Sequence, residues 1–360
     1  MKLFQSLSRQ NNLANLDRLK KHSINDAIVV KLRDFVRSAK DRELYRANPR
    51  YWAERLGLDE RATLELIVVG VVEGLFDLTW QTICPICKIY DKAAASLDQV
   101  TQLHHCENCN HDFEANLDEG LFVTVSVNDN LRRLTAADRD DPIFHDWVNA
   151  HHGLVSALTF TTIPAFQEFL AYQSLAEGQS LGIKKLAIFF SDLRSSTALY
   201  HQVGDAEAYR RVSEHFKVLF EAAAKHNGTA VKTIGDGVMG IFAEPKDALA
   251  AIADSLTGMA ALNQQLGLQG EERLMLKVGL HVGPCIVVTL NKRLDYFGET
   301  VNIASRLSGV AQGDDVILSH DVLEDPSHCA FAESLGQLTP LTARLNGLPQ
   351  DFDLHRLMIA

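Results

Sequence analysis

From residue 185 onward the chain alternates strand patterns with long helix patterns, and this rhythm constrains the fold more than any other feature. LAIFF (186–190) is a continuous apolar run, as expected of a strand buried on both faces. A helical pattern runs from Asp205 to about Asn227. TAVKTIGDGVMGIFA (229–243) reads as a hairpin turning at Gly235-Asp236-Gly237. An Ala-rich helix follows at 245–267, then two strands, LMLKVGLHVG and CIVVTL. Glu299 to Ala311 reads as helix and DVILS (315–319) as strand. This order predicts an α+β domain over 183–360, with helices packed on a largely antiparallel sheet.

The upstream half has a different texture. A helix is expected over 11–45, because Ile28, Val29, Leu32, Phe35 and Val36 share one face. Residues 48–80 read as two short helices and a strand. Asn48-Pro49 opens the first helix, Gly57 closes it, Asp59 caps the second, and LFDLTW follows. This resembles a winged-helix-like unit, a shape that serves DNA binding and structural roles alike. The structural role is favoured, since the second helix offers only Arg61 as a base. LFVTVSVN (121–128) alternates like a strand. Residues 136–182 read as a helical linker, with the boundary at Gly178 to Gly182. The expected organisation is an N-terminal regulatory region over 1–135, that linker, and the α+β domain.

The net charge of −11 argues against a surface that grips nucleic acid throughout. It is unevenly spread, because residues 1–50 carry +7 and the remainder −18. No stretch reaches the roughly 18–20 apolar residues that span a bilayer. The basic start is not followed by the apolar segment of a secretion signal. A cytoplasmic location is therefore expected, with reduced thiols.

Cys84-Pro-Ile-Cys87 and Cys106-Glu-Asn-Cys109 stand eighteen residues apart within an expected zinc ribbon over 81–113. Four thiolates would close a tetrahedral shell around one structural Zn²⁺. The other outcome is four unliganded thiols. His104, His105 and His111 are near enough to replace a ligand but are expected at the surface, and Cys285 and Cys329 in the core.

Two aspartates stand out by position. Asp192 ends the LAIFFSD strand and Asp236 sits in the IGDG turn. Two such carboxylates suit Mg²⁺, which keeps water and phosphate oxygens as its other ligands. Taken alone, Asp192 could be a helix cap and Asp236 a turn residue. Leu193, Arg194, Ser195, Ser196 and Thr197 leave a strand and enter a helix, so their N–H groups are suited to phosphate. Lys232 shares a strand face with Asp236. Asn302 and Arg306 share a helix face at i and i+4, with Asp295 just ahead of them.

FSDLRSST (190–197), VKTIGDG (231–237), VGLHVGP (278–284) and LDYFGETVNIASRL (294–307) together resemble the catalytic domain of class III nucleotide cyclases, from about 185 to about 325. The resemblance implies a ferredoxin-like domain that converts ATP to cyclic AMP. It implies that Asp192 and Asp236, with the Leu193 carbonyl, bind two Mg²⁺ or Mn²⁺ ions per site. It further implies that Asn302 orients the ribose, that Arg306 stabilises the transition state, and that Lys232 and Asp295 recognise adenine. Guanylate cyclases typically carry Glu and Cys at those last two places. In the family the two aspartates come from one protomer and the other four residues from its partner, so a homodimer is implied.

NPRYWAERLGLDE…HHCENC likewise resembles an uncharacterised domain that precedes some bacterial class III cyclases. It implies regulation by an unidentified ligand or protein.

Two departures stand out: Ser195-Ser196-Thr197 replaces the family's frequent Gly-Phe-Thr or Gly-Ser-Thr, and Asn346 stands before Gly347 where the family usually has a phosphate-binding Lys, with Arg344 as the nearby substitute. Two other functions fit part of the sequence. One is a DNA-binding regulator using the winged-helix-like unit and the ribbon. The other is a catalytically weak, cyclase-like nucleotide sensor.

Overall fold

The computed structural model describes residues 12–170, 173–194, 200–201 and 203–359. It divides into two compact units. One holds residues 1–182 with 288–294, and the other 183–287 with 295–360.

The first unit opens with a 3-10 helix, Ala14–His22, and then α1, Asp26–Ser38. The single helix expected over 11–45 is therefore broken. Ser23 takes a left-handed backbone at φ 62°, and Asn25 Oδ1 accepts the Ala27 N–H at 2.8 Å, capping α1 afresh. Two helices follow, α2 (Pro49–Leu56) and α3 (Glu60–Val72), capped by Asn48 and Asp59 as their sequence implies. The next strand, β1 (Phe76–Ile83), runs past the expected end of the winged-helix-like unit. It pairs with β2 (Tyr90–Ala94), which lies inside the cysteine segment. It also pairs with a later strand, Leu121–Val127. One antiparallel sheet thus crosses the limit drawn at 80/81, and this segment is not a free-standing unit.

Between those strands lie β3 (Leu103–Cys106) and β4 (His111–Glu114), a two-stranded pair. Leu121–Val127 is β5. The core gathers aromatic rings edge to face: Trp52 on Phe76 at 5.1 Å, and Trp80 on Phe160 at 6.0 Å. Beneath them, Glu43 is buried and accepts Tyr51 Oη and Arg55 Nη1, each at 2.5 Å. Helix α4 (Pro142–His152) and two shorter helices, Ala157–Thr161 and Pro164–Phe169, follow.

The second unit is built on β6 (Ser180–Leu193), β7 (Gly228–Ile234), β8 (Gly237–Phe242) and β9 (Leu276–Leu290). It continues with β10 (Arg293–Phe297), β11 (Asp315–Ser319), β12 (Gly336–Arg344) and β13 (Asp351–Ile359). The sheet runs β12-β13-β11-β9-β6-β8-β7, with β10 paired to β9. Of the pairings resolved residue by residue, β9 with β11 is parallel and the others are antiparallel. The α+β expectation holds.

β9 is one strand where two were expected. Gly283-Pro284 looks like a breaker, yet β11 pairs with β9 only through Asp315↔Lys277 to Leu318↔Leu280. The missing Pro284 N–H therefore costs no bond to β11.

Helices α5 (Asp205–Lys225) and α6 (Pro245–Gln265) cover one face. Val212, Leu219, Ile252 and Met259 meet Phe189, Phe242, Leu276 and Leu280 there. Helix α7 (Glu299–Leu307) covers the other face, where Ile303 and Leu307 meet Ile317 and Leu354. The strand period of two explains the division: Val316 and Leu318 join the first core, and Ile317 between them joins the second. Among the described residues no helix is long and apolar enough to cross a membrane.

Candidate active site

The β7–β8 turn carries Asp236 to the end of β6. Gly235 supplies the positive φ, 63°, that the turn needs. Gly237 supplies room, since a Cβ there would lie 2.4 Å from the Ser191 carbonyl oxygen. The outcome is direct: Asp236 Oδ2 accepts the Leu193 N–H at 3.1 Å. Asp236 therefore lies against the residue that follows Asp192, and both aspartates stay half-buried. Asp236 is thereby held beside the strand end that carries Asp192, and carboxylate oxygens are the donor type that Mg²⁺ or Mn²⁺ takes.

Two neighbours of this pair were missed in the sequence. Lys277, on β9, donates to Asp192 Oδ2 at 3.0 Å. The period of two places Lys277 on a sheet face, but nothing in the sequence says that β9 is the neighbour of β6. His215, fully buried on α5, donates from Nδ1 to the Val212 carbonyl at 2.6 Å. Burial holds its imidazole below the ordinary range, although the nearby Asp236 carboxylate acts the other way.

Lys232 and Asp295, 63 positions apart, meet. The ammonium donates to both carboxylate oxygens at 2.7 Å, and Asp295 Oδ1 also accepts the Tyr296 N–H at 2.8 Å. Asp295 is buried, and Lys232 sits 5.8 Å from the Phe297 ring centroid. The pair sets a donor beside an acceptor.

Asn302 and Arg306 lie on α7, one turn apart. Arg306 Nη1 donates to the Asn302 carbonyl at 3.1 Å, and its Nε donates to the Asn346 carbonyl. Asn346 thus touches Arg306 through its backbone. Arg344 ends β12 opposite Asp351 and is exposed. Arg194 is exposed, with its N–H bonded to the Met275 carbonyl at 2.9 Å. Ser195, Ser196 and Thr197 lie outside the described residues. Among the described residues, no hydrogen bond or ion pair joins the Asp192–Asp236 pair to Lys232, Asp295, Asn302 or Arg306.

In the first unit the four sulfurs of Cys84, Cys87, Cys106 and Cys109 lie within 4.8 Å of one another. Cys84 faces Cys109, and Cys87 faces Cys106, each at 3.5 Å. Four Zn–S bonds of about 2.3 Å in a tetrahedron put sulfurs roughly 3.8 Å apart, so the set fits zinc. The two Cys-x-x-Cys turns match each other. Lys88 N–H reaches the Cys84 carbonyl at 3.0 Å, and Asn110 N–H reaches the Cys106 carbonyl at 2.8 Å. Both Lys88 and Asn110 take left-handed backbones, at φ 60° and 55°. The Ile89 N–H beside Cys87 lowers that thiol to about 6. His104 is buried rather than at the surface, holding Asp91 Oδ2 and the Thr101 carbonyl at 2.8 Å each. Its ring stacks on Phe113. Cys285 is buried as expected, and Cys329 packs half-buried against the core.

Comparison with known proteins covers both halves. Residues 179–335 match the family profile described as adenylate and guanylate cyclase catalytic domain. Residues 9–154 match that of a family of unknown function, DUF5939. Guanylate cyclase 2G of Rattus norvegicus is 29% identical over 164 residues, covering 42% of this chain and 15% of that protein. Adenylate cyclase 1 of Rhizobium meliloti is 26% identical over 195 residues, covering 50% of this chain and 28% of that protein. The chain thus spans less than a third of either relative. The crystal structure of the adenylyl cyclase CyaB from P. aeruginosa is similar, with a TM-score of 0.43 and 24% identity. That match covers 51% of this chain and 97% of that one.

Proposed function

We propose that this chain, whose residues 179–335 are a class III adenylate and guanylate cyclase catalytic domain, is an adenylate cyclase that works as a homodimer. The observation that carries the choice of ATP is the Lys232–Asp295 pair. Lys232 offers a donor to an adenine ring nitrogen, and Asp295 offers an acceptor to the exocyclic amine. Guanine presents the opposite pattern at that edge. Held at 2.7 Å, the two side chains also keep each other oriented.

In the reaction the ribose 3′-oxygen attacks the α-phosphorus in line. The bond from that phosphorus to the bridging oxygen breaks, and pyrophosphate leaves. The 3′-hydroxyl proton passes to solvent. Asp192, Asp236 and the Leu193 carbonyl would hold two divalent cations, which supply charge neutralisation at the triphosphate and favour the ionised 3′-oxygen. Asn302 orients the ribose. Arg306 places a permanent planar charge against the developing phosphoryl oxygens. Among the described residues no bond joins the two residue groups within one chain, which suits a site shared between protomers, where two chains complete two equivalent sites. The phosphate loop Leu193 to Thr197 and Arg344 would complete the triphosphate contacts.

A cyclase-like nucleotide sensor is the second reading. It is favoured by the Arg306–Asn346 contact, in which Asn346 stands where a phosphate-binding Lys is usual. Assay of the purified chain with ATP or GTP and Mn²⁺ separates the two. Cyclic AMP formation from ATP, well above cyclic GMP from GTP, supports the cyclase. Tight ATP binding without product supports the sensor.

The same proposal gives residues 1–135 a regulatory role, a cytoplasmic setting, and one structural zinc on Cys84, Cys87, Cys106 and Cys109. The sulfur distances and the two matching turns support that zinc. Zinc content and melting temperature before and after chelation test it.

A further inference from the structure

The first unit holds a cavity of about 330 Å³ between α4 and the segment that links β1 to β2. Its polar wall is mostly exposed, with Lys88, Tyr90, Asp140 and Asp146 at the surface and Gln81 beneath them. Gln81 lines it from β1, is buried with only 8% exposure, and its amide has no hydrogen-bond partner among the described residues. That amide opens to the cavity, where it can meet water or a ligand.

Two bases line the same cavity, Arg46 and Lys88, and neither has a carboxylate partner among the described residues. Both take left-handed backbones, at φ 43° and 60°, a costly conformation for residues with a Cβ. Two acids, Asp140 and Asp146, line it as well, also without an ion pair among the described residues. Tyr90 completes the wall. Its hydroxyl accepts Asn149 Nδ2 at 2.5 Å, which leaves its own O–H free to donate. Burial, then the Asp146 carboxylate, pushes the Tyr90 phenol upward, so that proton is retained at neutral pH.

The two bases balance the two acids lining the cavity, and His145 on the same wall is bonded to the Arg42 carbonyl at 2.9 Å. A phosphate would meet two carboxylates, and a lone amine would meet two bases. A ligand with one charge of each sign satisfies both pairs. The volume lies at the lower end of the range for small-molecule sites, about 300–1,000 Å³. We propose that this cavity binds a small zwitterion of the free amino acid class, with its carboxylate toward Arg46 and Lys88 and its ammonium toward Asp140 and Asp146. The Gln81 amide and the Tyr90 hydroxyl would bond the remaining polar atoms. The inference does not rest on the cyclase reading, because binding is read without turnover.

The test is thermal melting of the full chain with each free L-amino acid at millimolar concentration. The matching α-keto acids, the matching amines and inorganic phosphate serve as probes that carry one charge sign only. At least one amino acid should raise the melting temperature. The shift should vanish in Arg46→Met and in Gln81→Leu. Arg46→Met alone decides the matter if Gln81→Leu fails to fold. The proposal is overturned if no amino acid shifts the transition, or if the shift persists in the folded variants. It is overturned equally if a keto acid, an amine or phosphate produces the same shift.

Discussion

Lys277 Nζ lies 3.0 Å from Asp192 Oδ2, so the strand beside β6 sets a fixed cation against a proposed metal ligand. A divalent ion at Asp192 must outcompete that ammonium. The pair is partly exposed, at 20% and 42%, so its worth is about 0.5–1 kcal/mol. Lys277→Met should therefore tighten Mn²⁺ binding about two- to fivefold, as read from the free-Mn²⁺ electron paramagnetic resonance signal. Unchanged or weaker binding would assign Lys277 a supporting role instead.

The Lys232–Asp295 pair makes a prediction about specificity. Lys232→Met removes the donor and leaves a buried carboxylate without its cation. The loss in kcat/KM for ATP should be about 10- to 100-fold, with little change for GTP. Combining Lys232→Glu with Asp295→Cys should move the preference toward GTP. A ratio of the two kcat/KM values that stays at the wild-type level in both variants contradicts adenine recognition by this pair.

The cysteine centre predicts one zinc per chain. Cys106→Ser should lose the metal and lower the melting temperature, because the binding free energy of a structural zinc is folding free energy. Elemental analysis beside calorimetry checks both. A metal-free wild type that melts like the untreated protein would leave the four thiols as a packing cluster.

His281 gives a pH prediction. Burial lowers its imidazole below the ordinary range, against the opposing pull of Asp321 and Glu299, while Nδ1 pairs with Ser319 Oγ at 2.7 Å. Below about pH 6.5 the unfolded chain takes up a proton that the folded chain resists. The stability contributed by neutral His281 is therefore full above that pH and declines as pH falls. Urea unfolding at pH 7.5 and 5.5 should show the decline, and His281→Gln should reduce it. An identical pH slope in the variant would remove His281 from the account.

Much of this architecture is visible in local sequence pattern. Period-two alternation locates β5, and the Asn48 and Asp59 caps locate α2 and α3. The IGDG turn delivers Asp236 to Leu193 because two glycines there permit a tight return. Local pattern fails where neighbours are distant in the chain. Lys277 and Asp192 are 85 positions apart, and only the sheet order brings them together. Lys232 and Asp295 were joined by resemblance rather than by any rule of spacing. Ser23 broke an expected helix because a left-handed residue and a fresh Asn cap outweigh an apolar stripe. Pro284 lies beyond the part of β9 that pairs with β11, so its missing N–H costs no bond there.

The central claim is a site shared between two copies of the chain. Asp192→Ala and Arg306→Ala should each be inactive alone, with losses of about 100-fold or more. Mixed in equal amounts and allowed to exchange, half of the dimers pair one variant with the other, and each such dimer has one whole site. Cyclic AMP formation should then return to about a quarter of the wild-type rate. A mixture as inactive as its two components, with exchange verified, would contradict the shared site.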